Sequence, residues 1–174
     1  LVIPSDRIAT HGAWLGLLTR QGIAAVARQK GTSPVLFMLD EFANMGKLAG
    51  LSESLTLLPG LGVRVWMVVQ SLDQLRSVYG REVTNTILSQ AQVQQYFSVQ
   101  DLGLAKTLSD TLGQRTVKTR TTSETGRDND ELKESYGETG RPLMSPDEIR
   151  QLPVSQQILI IESKPPVLAE RIPF

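Results

Sequence analysis

Three polar side chains follow apolar runs of this sequence, and their types suit the chemistry of nucleotide hydrolysis. Asp40 and Glu41 come directly after the run Val35 to Leu39, and Gln70 comes after the run Arg64 to Val69. In such chemistry one acid can hold Mg²⁺ through water, while a second can orient or deprotonate the attacking water. An amide on a neighbouring strand can hydrogen-bond the same water or a terminal phosphate. This pattern assigns Asp40 to magnesium and Glu41 to the base.

Each residue also has a structural interpretation. Acidic residues often follow an apolar strand simply because strands end at the surface. Gln70 could equally be a turn residue beside Ser71. The pattern alone leaves both interpretations open.

The elements that must position these residues alternate between helix and strand. The runs at Val35 and Val63 are continuously apolar rather than alternating, which is typical of strands covered on both faces in a parallel sheet. Helices are predicted at 7–29, 47–58, 72–79, 84–90 and 102–112, with another beginning near Ser145, and further strands at 93–99, 157–162 and 167–172. This order predicts a three-layer α/β fold with a mainly parallel sheet. The carboxyl ends of its strands form the edge where such sheets bind ligands.

Composition limits the class of protein. The chain has 174 residues, 40% of them hydrophobic, which is enough for the single domain 1–174 that we predict. Eighteen basic residues balance eighteen acidic ones, so any contact with nucleic acid must be local or depend on assembly. Cys is absent, which excludes thiolate metal sites and Cys nucleophiles. The polar segment 118–141 is expected to be a long loop or a partly disordered insertion within the domain.

Four blocks of sequence carry a family resemblance. In order they read LDEFANMGKLAGL, GLGVRVWMVVQSLDQLRSVYG, LSDTLGQRTV and RPLMSPDEIRQLP. Together they resemble the type IV secretion coupling proteins of the TraG/TraD class, the hexameric DNA-pumping ATPases of bacterial conjugation. A different RecA-like motor, such as a chromosome translocase, would share the acidic strand but explains the SPDEI block less well.

The resemblance implies a RecA-like domain that binds ATP and Mg²⁺ and hydrolyses ATP. It places Asp40 at the magnesium and makes Glu41 and Gln70 catalytic. Relatives can also present a basic residue to a neighbouring subunit's nucleotide, for which Arg64 is the nearest candidate here. The alternative for Arg64 is a salt bridge at the start of its strand.

The sequence contains no G-x-x-x-x-G-K-[ST] motif, so the phosphate-cradling loop of such an ATPase is missing from this chain. The chain also begins with Leu1, and we expect it to be the C-terminal part of an ATPase domain within a longer protein. By itself it should then be inactive, whereas the full-length protein would be a DNA-dependent ATPase.

The resemblance further implies a homo-hexamer at the cytoplasmic face of the bacterial inner membrane, attached through an N-terminal region that is not in this sequence. Its partners would be DNA, relaxosome or effector proteins, and components of the secretion channel. The alternative hypothesis is a recognition module without catalysis, which binds a relaxosome or effector protein and keeps the acidic strand only as structure.

Overall fold

The computed structural model describes residues 8–29, 33–48, 50–123 and 133–172. The chain divides into two compact units, Leu1–Ala91 and Gln92–Phe174, and each is described by itself. The interpretation of residues 1–174 as one domain stays a prediction.

The first unit contains the two strands that were predicted to carry the acids and the glutamine. Its elements are helix α1 (Ile8–Arg28), strand β1 (Val35–Leu39), a 3-10 turn (Phe42–Met45), the short helix α2 (Leu51–Ser54), a second 3-10 turn (Leu58–Leu61), strand β2 (Val63–Met67), and helices α3 (Leu72–Tyr79) and α4 (Arg81–Gln90). Strands β1 and β2 pair in parallel, with Val35 opposite Val63 and Leu39 opposite Met67. Apart from the predicted helix 47–58, the predicted order of helices and strands is therefore confirmed in this unit.

The sheet of the first unit has one covered face. Phe37, Leu39, Val63 and Val65 contribute to its core, while Leu36, Met38 and Trp66 on the opposite face are 54%, 62% and 49% exposed. Alternate residues of a strand point to opposite faces, so these three side chains form one apolar surface. We call Leu36, Met38 and Trp66 the open face. The prediction that β1 and β2 are covered on both faces is wrong, because the described core contacts of this unit lie on one face and the side chains of the open face are about half exposed.

The predicted helix 47–58 is also replaced by shorter elements. Gly50 adopts the left-handed conformation immediately before α2, and Pro59 lies within the second 3-10 turn. Backbone at both places departs from regular helix, so the apolar residues of this stretch are distributed over α2 and the turn. Residue 49 lies outside the described residues.

The second unit is built from antiparallel ladders. Strands β3 (Val93–Tyr96), β6 (Gln156–Ile161) and β7 (Val167–Glu170) form one sheet with β6 in the middle, and β4 (Gln114–Ser123) pairs with β5 (Lys133–Pro142). Helices α5 (Leu102–Leu112) and α6 (Pro146–Arg150) complete the unit. Parallel pairing is thus found between β1 and β2, and the later described strands pair antiparallel.

Both helices predicted for the second unit, 102–112 and the one that begins near Ser145, are confirmed, and each begins at a side-chain cap. The Asp101 carboxylate accepts a hydrogen bond from the Leu104 amide at 2.6 Å. At α6, Ser145 and Glu148 form a capping box, and Arg141 donates to Glu148 at 2.6 Å. The hydrogen bond from the Ser145 backbone, with help from Arg141, lowers the pKa of Glu148. These contacts satisfy amides that a helix start leaves without partners.

The prediction that segment 118–141 is a long loop or a partly disordered insertion is wrong for the residues that the structure describes. Its described residues belong to the antiparallel hairpin β4–β5, in which Lys118 lies opposite Glu138 and Arg120 opposite Tyr136. Thr and Val residues, which favour extended backbone, occupy much of β4. Where the burial of its side chains is described, this hairpin is exposed apart from the half-buried Val117 and Pro142. Such strands lack the apolar alternation by which strands are recognised, so the composition resembled that of a loop. Residues 124–132 lie outside the described residues.

Candidate functional site

The two acids lie in a turn held at the carboxyl ends of β1 and β2. The Val68 amide donates to the Leu39 carbonyl at 3.0 Å, and the Phe42 amide donates to the Val68 carbonyl at 2.9 Å. These bonds continue the β1–β2 pairing beyond the last residue of each strand. Asp40 and Glu41 therefore project from a fixed edge of the sheet, as the sequence predicted.

Glu41 has an unusual backbone conformation. Its φ of 46° and ψ of 44° lie in the left-handed region, and its amide donates to Asp40 Oδ1 at 2.9 Å. This region costs a residue other than glycine about 1–2 kcal/mol, and it persists where surrounding contacts enforce it. Here the Asp40 carboxylate and the backbone bond of Phe42 enforce it. The turn thereby aims the Glu41 side chain back toward the end of β2.

Amide side chains hold both oxygens of the Glu41 carboxylate. Gln70 Nε2 donates to Glu41 Oε1 at 2.9 Å, and Asn44 Nδ2 donates to Glu41 Oε2 at 2.6 Å. Gln74 Nε2 in turn donates to Asn44 Oδ1 at 2.8 Å. The predicted residues Asp40, Glu41 and Gln70 are thus brought together, within a network that includes two residues that were not predicted.

The signal for those two residues is faint in the sequence. Asn44 follows Glu41 by three positions, and Gln74 follows Gln70 by four, on the first turns of α3. Such spacings place side chains on the same side of a turn or helix. The pattern does not show that the two amides meet, because their pairing depends on how α3 packs beside the turn.

Arg64 lies apart from this cluster. It is exposed and pairs in register with Leu36, three residues before the end of β2. At about 3.3 Å per strand residue, its Cα is roughly 10 Å from that of Met67 at the carboxyl end. Within one copy of the chain, Arg64 is therefore not brought to the acids, and its role toward a neighbouring subunit stays a prediction.

Tyr79 contacts the turn that follows β1 and stabilises it. Its hydroxyl accepts from the Leu48 amide at 3.0 Å and donates to the Gly46 carbonyl at 3.2 Å, and its ring stacks on Phe42 with centroids 5.4 Å apart. Burial raises the pKa of Tyr79, while the Leu48 hydrogen bond acts in the opposite direction. The hydroxyl therefore keeps its proton at neutral pH and can donate it to Gly46.

Two glycines let α1 lie against the same turn. A Cβ atom added at Gly12 would come within 2.3 Å of the Asn44 carbonyl oxygen, and one added at Gly16 within 2.8 Å of the Met45 carbonyl oxygen. Real Cβ atoms do not approach backbone atoms this closely. Helix α1 can therefore lie this close to the turn only because Gly12 and Gly16 have no Cβ atom. The backbone of Asn44 is consequently fixed from the side of α1.

We expect Gly12→Ala to destabilise the chain by about 1–3 kcal/mol, because either α1 or the turn at Asn44 must move to admit the methyl group. Chemical denaturation followed by circular dichroism measures the change. Gly60→Ala is the matched control, since a Cβ at Gly60 would meet nothing within 4 Å. Equal free energies of unfolding for the two variants would contradict the close packing of α1 on the turn.

The residues at this edge fit a hydrated magnesium ion. Mg²⁺ usually keeps several waters and binds through one or two carboxylates together with substrate phosphates. Asp40 is exposed, and only its Oδ1 is engaged by the Glu41 amide within the described part of the chain. Among the described residues there is no cluster of three or more His, Asp or Glu that could cage a metal by itself. The donor set suits water-mediated binding by Asp40.

Comparison with known proteins decides the family. Residues 17–174 match the model of a family described as type IV secretory system conjugative DNA transfer. The chain belongs to this family. The resemblance drawn from the four sequence blocks is thereby confirmed.

Two known proteins are similar in sequence to most of this chain. VirD4 of Agrobacterium fabrum is 29% identical over 140 residues, which cover 80% of this chain and 21% of VirD4. Conjugal transfer protein TraG of Escherichia coli is 33% identical over 126 residues, which cover 68% of this chain and 20% of TraG. The chain thus spans about a fifth of the length of these relatives.

Solved structures confirm the fold. The unbound bacterial conjugative coupling protein TrwBdeltaN70 matches with a TM-score of 0.72 and 21% identity, covering 97% of this chain and 39% of that one. TrwB in complex with ADP and Mg²⁺ matches with a TM-score of 0.66 and 21% identity, covering 92% of this chain and 37% of that one. The α/β, RecA-like fold predicted for this family member is confirmed. Among its described helices, none has both the length and the apolar character that a membrane span needs.

Proposed function

We propose that this chain supplies the water-activating half of the ATPase site in a conjugative coupling protein. The observation that carries the proposal is the Glu41 carboxylate, held by Gln70 at the carboxyl ends of two parallel strands. Polar groups at this edge of an α/β sheet are placed where ligands bind. The phosphate-cradling loop would come from another part of a longer polypeptide, because the sequence here lacks that motif.

Glu41 and Gln70 have complementary tasks in this proposal. The carboxylate accepts a proton from the attacking water, as a general base does. Gln70 uses Nε2 to hold Glu41, which leaves its Oε1 able to accept a hydrogen bond from the same water. Water held by two acceptors presents its oxygen lone pair in a defined direction, so the chain would contribute orientation of the water as well as a proton acceptor.

Asp40 would hold magnesium through water on its Oδ2 side, while Oδ1 keeps the Glu41 backbone in place. Magnesium-bound ATP supplies the reacting phosphoryl group and neutralises the charge that develops on it. A structure of the similar protein TrwB contains ADP and Mg²⁺, and this supports the assignment of both ligands to the present site.

The function that follows is ATP-driven transfer of DNA or protein through a type IV secretion channel. Family membership supports DNA and components of the secretion channel as partners, and we propose relaxosome or effector proteins in addition. We further propose a homo-hexamer placed at the cytoplasmic face of the inner membrane by an N-terminal region outside this sequence. In such a ring, the exposed Arg64 would be available to a neighbouring subunit's nucleotide.

ATP turnover by the full-length polypeptide tests this function. We expect hydrolysis that requires Mg²⁺ and rises when single-stranded DNA is added. Calorimetry should detect ATP binding by the full-length polypeptide but none at micromolar concentrations by the isolated 174-residue chain. Absence of DNA-stimulated hydrolysis would overturn the motor and favour the recognition module. Micromolar ATP binding by the isolated chain would contradict the assignment of the phosphate loop to another segment.

A further inference from the structure

We propose that Asn44 and Gln74 are positioning residues that fix the direction in which the Glu41 carboxylate faces. The inference rests on the proposed role of Glu41 as the base. It assigns a task to two side chains that act through Glu41, because Asn44 contacts the Glu41 carboxylate and Gln74 contacts Asn44. The structure supports it through a continuous chain of hydrogen bonds from α3 to Glu41.

The Asn44 amide faces Glu41 with its NH₂ group. An Asn side chain can present either its NH₂ group or its oxygen in a given direction. Only one of these orientations donates to Glu41 Oε2, and the opposite one would set two oxygens against each other. Gln74 Nε2 selects the productive orientation by donating to Asn44 Oδ1 at 2.8 Å.

Gln74 is itself anchored at the start of α3. Its backbone amide donates to the Ser71 hydroxyl at 3.1 Å, so it lies in the capped first turn of α3. Ser71 directly follows Gln70, so both glutamines come from the same strand–helix junction. One junction therefore reaches Oε1 of Glu41 directly through Gln70 and Oε2 indirectly through Gln74 and Asn44.

Asn44 and Gln74 orient the base and do not act as one. Neither amide can take a proton from water at neutral pH, so neither replaces Glu41 as base. A carboxylate held through both oxygens has a fixed plane, and small errors in the placement of a catalytic group can cost about 10²-fold in rate. Loss of the network should therefore lower kcat and leave KM for ATP nearly unchanged.

Two isosteric substitutions test the inference in the full-length polypeptide. Asn44→Asp places a carboxylate oxygen where Nδ2 now donates to Glu41, while the other oxygen still accepts from Gln74. We expect kcat to fall about 10²-fold. Gln74→Glu removes the donor to Asn44 Oδ1 and favours the opposite amide orientation, with an expected fall of roughly tenfold, the lower end for residues that orient a site ligand. KM for ATP should change less than about twofold in both.

Asn85→Asp is the matched control, because Asn85 is exposed on α4 and undergoes the same chemical change. It should retain the parental kcat. Thermal melting followed by circular dichroism shows whether each variant is folded. If Asn44→Asp does not fold, Gln74→Glu alone decides, since its side chain is only partly buried and its shape is kept.

Combination with Glu41→Gln separates this inference from the proposed function. In that background neither substitution should lower the residual turnover further, because the carboxylate to be positioned is gone. Falls that multiply in the double variants would overturn the positioning role. Full turnover in Glu41→Gln alone would overturn the proposed function and this inference together. Loss of turnover in Glu41→Gln with unchanged kcat in Asn44→Asp and Gln74→Glu would overturn only the inference.

Discussion

Glu41→Gln is expected to lower the DNA-stimulated ATP turnover of the full-length polypeptide by about 10²- to 10⁴-fold, the usual contribution of a general base. The amide has nearly the shape of the carboxylate but cannot accept a proton from water. Nucleotide binding should persist, because the phosphate-cradling loop is a separate part of the site. Steady-state turnover and ATP binding by calorimetry measure the two properties independently.

The structure also indicates how the rest of the site accommodates this variant. In the parental protein the NH₂ groups of Asn44 and Gln70 both donate to Glu41. The NH₂ group of the introduced glutamine cannot accept a hydrogen bond, so it must displace one of these two donors. Asn44 is held by Gln74, and Gln70 is therefore the side chain expected to turn away. Glu82→Gln on the exposed surface of α4 is the matched control and should leave turnover unchanged. Undiminished turnover in Glu41→Gln would remove Glu41 from the role of base.

Asp40→Asn is expected to raise the Mg²⁺ concentration that supports half-maximal turnover by about 10- to 100-fold, the range found when groups outside a metal's direct ligands are changed. The substitution is selective because an amide oxygen can still accept from the Glu41 backbone, as Oδ1 does now at 2.9 Å. The left-handed backbone at Glu41 is thus kept while the negative charge that attracts the hydrated ion is lost. Turnover measured across a magnesium titration gives the shift.

Asp110→Asn, an exposed change on α5, controls for the loss of one carboxylate. An unchanged magnesium titration in Asp40→Asn would contradict the assignment of Asp40 to the metal. A lowered melting temperature together with an unchanged titration would show that the Asp40 charge serves the stability of the turn instead.

Much of the site could be predicted because its key residues are encoded locally. An unbroken apolar run of five residues followed by two acids predicts both a strand and the place where it ends. Gln70 was found by the same rule on the next strand. Parallel pairing then brings the two strand ends together, so β1 and β2 needed little information from elsewhere in the chain. The starts of α5 and α6 could likewise be predicted from local sequence, because each cap, at Asp101 and at Ser145, is completed within three residues.

The remainder depends on contacts between distant residues. Asn44 and Gln74 are 30 positions apart, and nothing in either neighbourhood indicates that their amides meet. Arg64 was chosen for its charge and its place in the sequence, whereas the strand register sets it near Leu36, away from the acids. The hairpin β4–β5 was missed because neither strand has an apolar face, so cross-strand pairing is what defines it.

The open face of Leu36, Met38 and Trp66 has a consequence for the heat capacity of the protein. Unfolding raises heat capacity chiefly by exposing apolar surface to water, and these side chains are already about half exposed in the native state. The isolated chain should therefore show a smaller heat-capacity increment on unfolding than its length implies. Any segment or partner that covers this face would remove its apolar surface from water, and its association should show a negative heat-capacity change.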